Sequence, residues 1–322
     1  MFSRILVPLD GSRLAEAALP VAERLAAAFG ATVVLLHVVE RGAHPTIHGN
    51  RHFTDQATAE GYLQRLADEL GSRGVSTTIH VHGVPEGDVA ASIALHGDDE
   101  SADLIVLCTH GSGGVRNLLW GSIAQQVLHR GLTPVLLVRV PPGGVPASVF
   151  APKTVLVPLD ATAASEAALA PAMALAVKLG ARLHIAMVVP TLSTLRGERA
   201  TTAILSPLAT GAILDLEQAQ AERYLDQLSE KLAATGITIE TEVRRGDAVS
   251  ELAGEAVEHD VGLVVASTHG RAGLETIWTG SVVARLLART AAPVLLLRIV
   301  DPGHLIERTF RYDTSPTGSP AT

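Results

Sequence analysis

Two segments of the chain combine glycine, serine and histidine at spacings that suit a bound phosphate. The first is Thr109–Gly114, followed by Gly121–Ser122; the second is Thr268–Gly273, followed by Gly280–Ser281. Glycine lets a backbone approach a phosphate closely, and the amides at a helix N-terminus point at such an anion. A serine hydroxyl adds one more donor. The alternative is a glycine-rich turn that ends in a serine N-cap.

An aspartate follows the first apolar run in each half of the chain, at Asp10 and Asp160. A carboxylate at this place can accept hydrogen bonds from a ribose hydroxyl or a base amine, although an aspartate that caps the next helix has the same sequence signature. Other phosphate motifs are absent from the sequence. No G-x-x-x-x-G-K-[ST] occurs, and Asp10–Ser12 stands where a dinucleotide-binding G-x-G-x-x-G would begin.

These features occur twice because the chain repeats itself over the length of a whole domain. The segment Leu6–Asp10 returns as Leu156–Asp160. A segment rich in proline and glycine, Pro141–Pro146, separates the two copies, as is typical of a domain boundary. We therefore predict domains at 1–140 and 153–300, a linker at 141–152, and a partly disordered tail at 301–322.

Each copy alternates apolar runs with segments of helical periodicity, in the order βαβαβαβαβ. Short continuous runs such as Ile5–Leu9 and Leu104–Leu107 are typical of buried parallel strands, and Ser12–Phe29 has apolar residues at helical spacing. The predicted fold class is α/β: two tandem doubly wound domains, each a five-stranded parallel sheet with helices on both faces. Ligands of such sheets bind at the carboxyl ends of the strands, which is where the candidate residues lie.

Composition narrows the range of partners. The net charge is −8 and there is no run of Lys and Arg, which argues against binding to nucleic acid or to an anionic membrane. The apolar runs are too short to cross a bilayer. The single cysteine, Cys108, excludes an intramolecular disulfide and an all-cysteine zinc site. We expect a soluble, cytoplasmic protein.

Together these motifs resemble the universal stress protein family in its tandem, ATP-binding form, over about residues 3–140 and 153–300. The nucleotide motif of that family is G-x2-G-x9-G-[ST], placed after the fourth strand. Its later elements are matched in both halves, by Gly111, Gly121 and Ser122 and by Gly270, Gly280 and Ser281. Two positions depart from the motif, because Cys108 and Ser267 replace its first glycine. The resemblance implies the strand order 3-2-1-4-5 and ATP, with or without Mg²⁺, as the ligand.

The resemblance also implies roles for individual residues. Asp10 and Asp160 would meet the adenosine, and Val38 and Val188 would line the adenine pocket through their backbone. The full set implied to bind the nucleotide is Pro8, Leu9, Asp10, Val38, Leu107, Cys108, Gly111, Gly114, Gly121, Ser122, Ile123, Pro158, Leu159, Asp160, Val188, Ala266, Ser267, Gly270, Gly273, Gly280, Ser281 and Val282. No catalytic residue is predicted.

Three histidines, His44, His48 and His52, would align on a helix, but Pro45 and Gly49 interrupt any helix there. We expect a mobile loop with solvated imidazoles and predict no metal site. Cys108 ends a buried strand, which favours a small apolar role over a redox one.

Three hypotheses for function remain open from the sequence. The first is an ATP-binding stress-response or regulatory module with slow or no hydrolysis, since no motif residue is an evident catalytic base. The second is an enzyme, either a weak ATPase or a nucleotidyl transferase or ATP pyrophosphatase, although H-x-G-H and S-G-G-x-D-S are absent after the first strand. The third is an interaction protein that binds no nucleotide.

The fifth strands, Val135–Val140 and Val294–Ile299, carry an expectation about assembly. In the strand order implied by the resemblance they lie at the sheet edge, and an apolar edge strand tends to be paired or covered. We expect the two halves to pair with each other as a compact pseudo-dimer. We also expect two chains to associate as a homodimer, but the sequence does not identify the surface that they would use.

Overall fold

The computed structural model describes residues 1–41, 46–47, 50–51, 53, 55–85, 89–110, 122–140, 149–269 and 282–299. Its strands form one ten-stranded sheet and one short two-stranded pairing, β3–β4. The strands are β1 Arg4–Pro8, β2 Thr32–Arg41, β3 Thr46–Ile47, β4 Asn50–Arg51, β5 Thr77–Pro85, β6 Leu104–His110, β7 Val135–Val140, β8 Thr154–Leu159, β9 Arg182–Val189, β10 Ile239–Arg245, β11 Val261–His269 and β12 Val294–Ile299.

The order of strands in the large sheet is β10-β9-β8-β11-β12-β7-β6-β1-β2-β5. Within each half, all pairings are parallel and the five strands follow the order 3-2-1-4-5. The predicted fold class is therefore confirmed. The central strands consist of continuous apolar runs because both of their faces are covered, as parallel sheets require; Ile5, Leu6 and Val7 are all fully buried.

The helices cover both faces of the sheet. They are α1 Leu19–Phe29, α2 Gln56–Ser72, α3 Val89–Asp99, α4 Ser122–Arg130, α5 Ala163–Glu166, α6 Leu169–Leu179, α7 Glu198–Leu205, α8 Pro207–Leu232, α9 Ala248–Glu258 and α10 Val282–Leu287, with 3-10 turns at Ala15–Ala18 and Ala233–Thr235. One buried cluster packs under α1, α2, α6 and α8, and another under α3, α4, α9 and α10. The prediction of one helix over Ser12–Phe29 is wrong in detail: a 3-10 turn precedes α1, which starts where Pro20 can occupy its first turn.

The two halves join through their fifth strands, which pair antiparallel. Leu136 pairs with Leu295, its own counterpart in the repeat, so a pseudo-two-fold axis passes through this pair. The contacts beside it are reciprocal: the Arg139 guanidinium donates to the Thr290 carbonyl oxygen at 3.1 Å, and that of Arg298 donates to the Gly131 carbonyl oxygen at 3.0 Å. This pairing confirms the expected internal pseudo-dimer and removes both edges from solvent.

The segment after the second strand differs most between the halves. The change in spacing between matched residues, from Tyr62 and Tyr224, predicts a longer loop in the second half. That prediction is wrong, because the insertion forms α7 and the 26-residue α8. Pro207 at the first turn of α8 suits a helix start. In the first half, the region expected to be a mobile loop contains the β3–β4 pairing.

Several predicted features fall outside the described residues: His44, His48 and His52, most of the linker, and the tail. Among the helices that the structure describes, none is both long enough and apolar enough to span a bilayer.

Candidate functional site

The turn after the first strand orients an aspartate in each half. In the first half, the Asp10 Oδ1 atom accepts from the Ser12 amide at 2.9 Å, and the Ser12 hydroxyl oxygen accepts from the Ala15 amide at 3.1 Å. Gly11 has φ +86°, in the region that favours glycine. The aspartate therefore closes a tight turn, while the serine caps the helical segment that follows.

The second half builds the same turn from different residues. The Asp160 Oδ1 atom accepts from the Thr162 amide at 3.1 Å and from its hydroxyl at 2.6 Å. The Thr162 side chain in turn caps α5 by accepting from the Ser165 amide at 3.1 Å. Ala161 takes the place of Gly11 with φ +59°, a strained conformation for a residue with a Cβ. The helical segments are therefore capped by Ser12 and Thr162 and not by the aspartates. The turns hold the aspartate carboxylates in fixed orientations at the sheet edge.

The two residues that replace the first motif glycine both lie at the carboxyl ends of fourth strands. Cys108 pairs with Val138 in the β6–β7 ladder, and Ser267 pairs with Leu297 in the β11–β12 ladder. Burial, followed by the charge of Asp10, raises the pKa of the Cys108 thiol to about 12. The thiol is therefore neutral at physiological pH, which agrees with the small-residue role expected for it.

Ser267 uses its hydroxyl within the protein. It donates to the Ala164 carbonyl oxygen in α5, which ties the fourth strand to the turn that holds Asp160. The side-chain atoms that serine has and glycine lacks therefore form a contact between two parts of the candidate site.

The ends of the second strands complete the described part of the site. Val38 is 6% exposed and Val188 is half-buried. The strand-end neighbours Leu9, Leu107, Leu159 and Ala266 are buried, while Pro8, Pro158, Ile123 and Val282 are half-buried. These residues lie in or directly after β1, β2, β6, β8, β9 and β11 and in the helices α4 and α10, near the point where the strand order reverses.

The predicted phosphate-holding glycines lie outside the described residues: Gly111, Gly114, Gly121, Gly270, Gly273 and Gly280, with Ser281. Ser122 is described as the first residue of α4. The described residues therefore include those predicted to meet the adenosine, and leave out most of those predicted to hold the phosphates.

A tyrosine–glutamate pair that sequence analysis did not single out stands behind each aspartate turn. The Tyr62 hydroxyl donates to Glu16 at 3.0 Å, and the Tyr224 hydroxyl donates to Glu166 at 2.7 Å. Burial, together with the glutamate, raises the pKa of both phenols well above their usual range. Because each tyrosine lies in the helix after the second strand and each glutamate after the first, the pair fixes those two segments to each other.

Sequence analysis also missed two polar clusters on the outermost strands. In the second half, the carboxylate of buried Glu255 accepts from His184 at 2.5 Å and from Arg244, which also contacts Glu242 at 2.9 Å. Burial opposes ionisation of Glu255, but the hydrogen bonds from His184 and Arg244 outweigh it, and the pKa of this carboxyl is lowered. The cluster is an ion-pair network in which the Arg244 guanidinium contacts the carboxylates of Glu242, Glu255 and Glu258.

In the first half, the corresponding face of β5 and α3 carries His80, His82 and His96, here called the histidine cluster. The ring centroids of His96 lie 4.7 Å from His80 and 4.6 Å from His82. Burial, followed by the neighbouring His96, lowers the pKa of His80. The only signal in the sequence was the spacing of His80 and His82, since residues two apart in a strand share a face.

Comparison with known proteins bears on the family and the fold of the chain. The model of the universal stress protein family matches the chain twice, at residues 1–139 and 152–298. A universal stress protein of Mycolicibacterium smegmatis is 28% identical over 318 residues, which is 91% of this chain and 96% of that protein. One from Thermus aquaticus is 35% identical over 146 residues, covering 43% of this chain and all of the relative.

Among solved structures, a universal stress protein from Archaeoglobus fulgidus superposes with a TM-score of 0.67 at 18% identity, covering 92% of this chain and 98% of that one. At that identity the likeness concerns the fold alone. The two family-model matches span nearly the whole described chain. The chain therefore belongs to the universal stress protein family, with two such domains in tandem.

Proposed function

We propose that each half of this chain binds one ATP, with or without Mg²⁺, at the carboxyl ends of its strands, and that the protein is a nucleotide-dependent stress-response module. The proposal rests on an arrangement that occurs at the carboxyl edge of the sheet in both halves, here called the duplicated edge. In both halves an oriented aspartate, the end of the second strand and a small fourth-strand residue lie together where the strand order reverses. That reversal opens a crevice in α/β sheets.

The adenosine end is supported by groups that are already in place. Asp10 and Asp160 each have one carboxylate oxygen held by an amide of the turn. An aspartate fixed in this way meets a ribose hydroxyl without first having to be ordered, which reduces the entropic cost of binding. The backbones of Val38 and Val188 offer an adenine the peptide groups that the family resemblance implies.

The phosphate end is supported by the sequence that follows the fourth strand. Gly121 immediately precedes α4, which begins at Ser122. A helix N-terminus favours a phosphate through its unpaired amides and its dipole. The fixed positions of the motif include no carboxylate for holding a metal or activating water, and the variable stretches between its glycines contain one, Glu275, in the second half alone. The resemblance assigns the aspartates Asp10 and Asp160 to the adenosine end. Slow or absent hydrolysis follows.

The test is calorimetric titration of the full chain with ATP, in the presence and absence of Mg²⁺. Gly121→Val and Gly280→Val are each expected to remove binding at their own site, because a branched Cβ would occupy the place of the phosphate. The matched control is Gly61→Val, since Gly61 lies on the exposed face of α2 and a Cβ there meets nothing within 4 Å. Unchanged ATP affinity in the double variant would show that these loops are turns only.

A further inference from the structure

The histidine cluster lies on the outermost strand of the first half, and the helix α3 packs over it. His80 and His82 come from one face of β5, while His96 comes from α3 and is 8% exposed. The nitrogen atoms that the three rings can offer to an ion lie within 4.8 Å of one another. No residue of this cluster belongs to the proposed nucleotide site.

The hydrogen bonds of His96 fix which of its nitrogens carries a proton. Its Nδ1 atom lies 2.7 Å from the Ser92 carbonyl oxygen. A carbonyl oxygen only accepts, so Nδ1 is the donor and the Nε2 atom of the neutral ring presents a lone pair. That Nε2 atom lies 3.1 Å from the Nε2 atom of His80. A backbone carbonyl on the far nitrogen is the usual way in which a metal-ligating histidine is oriented.

A neutral His80 imidazole cannot donate a proton to both of its polar neighbours, Glu100 and His96. Its Nδ1 atom lies 3.8 Å from a carboxylate oxygen of Glu100, which favours a proton on Nδ1. Its Nε2 atom faces the lone pair of His96, which favours a proton or a cation on that side. A neutral ring has only one N–H. A cation between the two Nε2 atoms satisfies both sides and leaves Glu100 as the outer partner of His80.

The separation of the rings fits a small dication. Zinc binds imidazole nitrogen at about 2.0–2.1 Å, so two ligands of a tetrahedral site lie about 3.3 Å apart. The two Nε2 atoms are already at 3.1 Å. His82 is half-buried and stacks on His80 with a centroid distance of 6.2 Å, so a small movement of its side chain supplies the third ligand.

The second half provides a built-in contrast at the same place in the fold. The ladders β2–β5 and β9–β10 align His82 with Arg244, because they pair with Val38 and Val188. Arg244 donates to Glu255 and lies 2.9 Å from Glu242. His184, Glu242, Glu255 and His259 of the second cluster also lie close enough to share an ion. That cluster already holds the permanent cation of Arg244, whereas the first presents the imidazole of His82 in its place.

We propose that His80, His82 and His96 bind a first-row transition-metal dication of the zinc type, with Glu100 as outer partner of His80 and water completing the coordination. Imidazole ligands suit Zn²⁺, Ni²⁺ and Cu²⁺ rather than Mg²⁺. This site is independent of ATP, so its failure would leave the proposed function untouched.

The experiment is titration of the metal-stripped full chain with Zn²⁺ in competition with a chelating dye, together with the absorption spectrum of the Co²⁺ form. We expect one tight site per chain. His82→Arg, which installs the residue of the second half, is expected to weaken Zn²⁺ binding at least about 100-fold, because losing even an outer-shell partner costs about 10- to 100-fold. His82→Gln is expected to do the same without adding a charge, and circular dichroism verifies that both variants fold.

The matched control is the triple variant His44→Gln/His48→Gln/His52→Gln, which removes the other closely spaced imidazoles of the first half. Retained Zn²⁺ binding in this variant and lost binding in the His82 variants support the site. The proposal is overturned if the wild-type chain binds no Zn²⁺, or if the His82 variants keep the wild-type affinity, as they would if the ion bound at His184, Glu242, Glu255 and His259 of the second half.

Discussion

The two halves of this chain are alike at the carboxyl ends of their strands and unlike at their outermost strands. Both halves hold an aspartate in a tight turn. Both also join the segment after that turn to a helix that follows the second strand, through a tyrosine–glutamate pair. At the outer strands, one half has the histidine cluster and the other an ion-pair network around Glu255. The features that both halves share lie near the proposed nucleotide sites. The features that differ lie at the two ends of the ten-stranded sheet, on β5 and β10.

This difference shows two ways of dealing with polar groups between an outer strand and its helix. The buried Glu255 carboxylate in the second half accepts hydrogen bonds from His184 and Arg244, so its charge has partners within the protein. The histidine cluster has no carboxylate at the position of Glu255, which His96 occupies, and its imidazoles face each other. The first arrangement contributes to stability; the second is suited to taking up a cation.

The largest expected effect is the loss of stability when the second network is broken. His184→Leu leaves Glu255, whose side chain is fully buried, without one of its two donors. Removing one partner of a buried pair costs about 3–5 kcal/mol, and we expect about 3 kcal/mol in the free energy of unfolding measured in urea. His96→Leu in the first half is expected to cost only about 1 kcal/mol, the worth of one hydrogen bond. Equal losses would show that the two clusters do not differ in this way.

A second effect concerns acid. The folded-state pKa of Glu255 is lowered, so its stabilisation is complete above the unfolded value of about 4.3 and is lost as the pH falls through the folded pKa. Each unit of lowering is worth about 1.4 kcal/mol. Urea unfolding of the wild type and of Glu255→Gln at pH 7, 5, 4 and 3 is expected to show a stability difference that shrinks only below about pH 4. A difference that stays constant down to pH 3 would contradict the assignment.

The smallest effect distinguishes the two aspartate turns. Gly11 and Ala161 occupy the same place with φ +86° and +59°. Because a Cβ is strained in that region, Gly11→Ala is expected to lower the melting temperature, with a cost of about 1 kcal/mol, and Ala161→Gly to raise it by less. Gly30, with φ +68° in a helix cap, serves as the reference position through Gly30→Ala. If the two substitutions changed the melting temperature in the same direction, the positive φ would not explain the difference between the two turns.

Much of the fold could be predicted because its causes are local or repeated. Continuous apolar runs such as Ile5–Val7 specify buried parallel strands, and the repeat fixes the number of domains. The pairing of the fifth strands was predicted from the strand order that the family resemblance implies, which places an apolar strand at one edge of each sheet. The helices α7 and α8 were missed because an insertion has no counterpart in the other half with which to compare it.

The candidate site was predictable only in part. Asp10 and Asp160 were found from position, but the sequence could not separate their role from helix capping, which belongs to Ser12 and Thr162. The histidine cluster was missed because His96 is 14 residues beyond His82 in the chain and joins it only through packing of α3 on β5. The strand Ile239–Arg245 alternates charges like a solvated edge, and its ion pairs depend on Glu255 from α9.

The central claim is that the duplicated edges are two nucleotide sites. The most direct test is the number of ATP molecules bound per chain at saturation, measured by calorimetry or native mass spectrometry on chain freed of endogenous nucleotide. The account predicts two ATP per chain, one for each half. Fewer than one ATP per two chains would contradict it, and the matching turns at Asp10 and Asp160 would then be features of the fold alone.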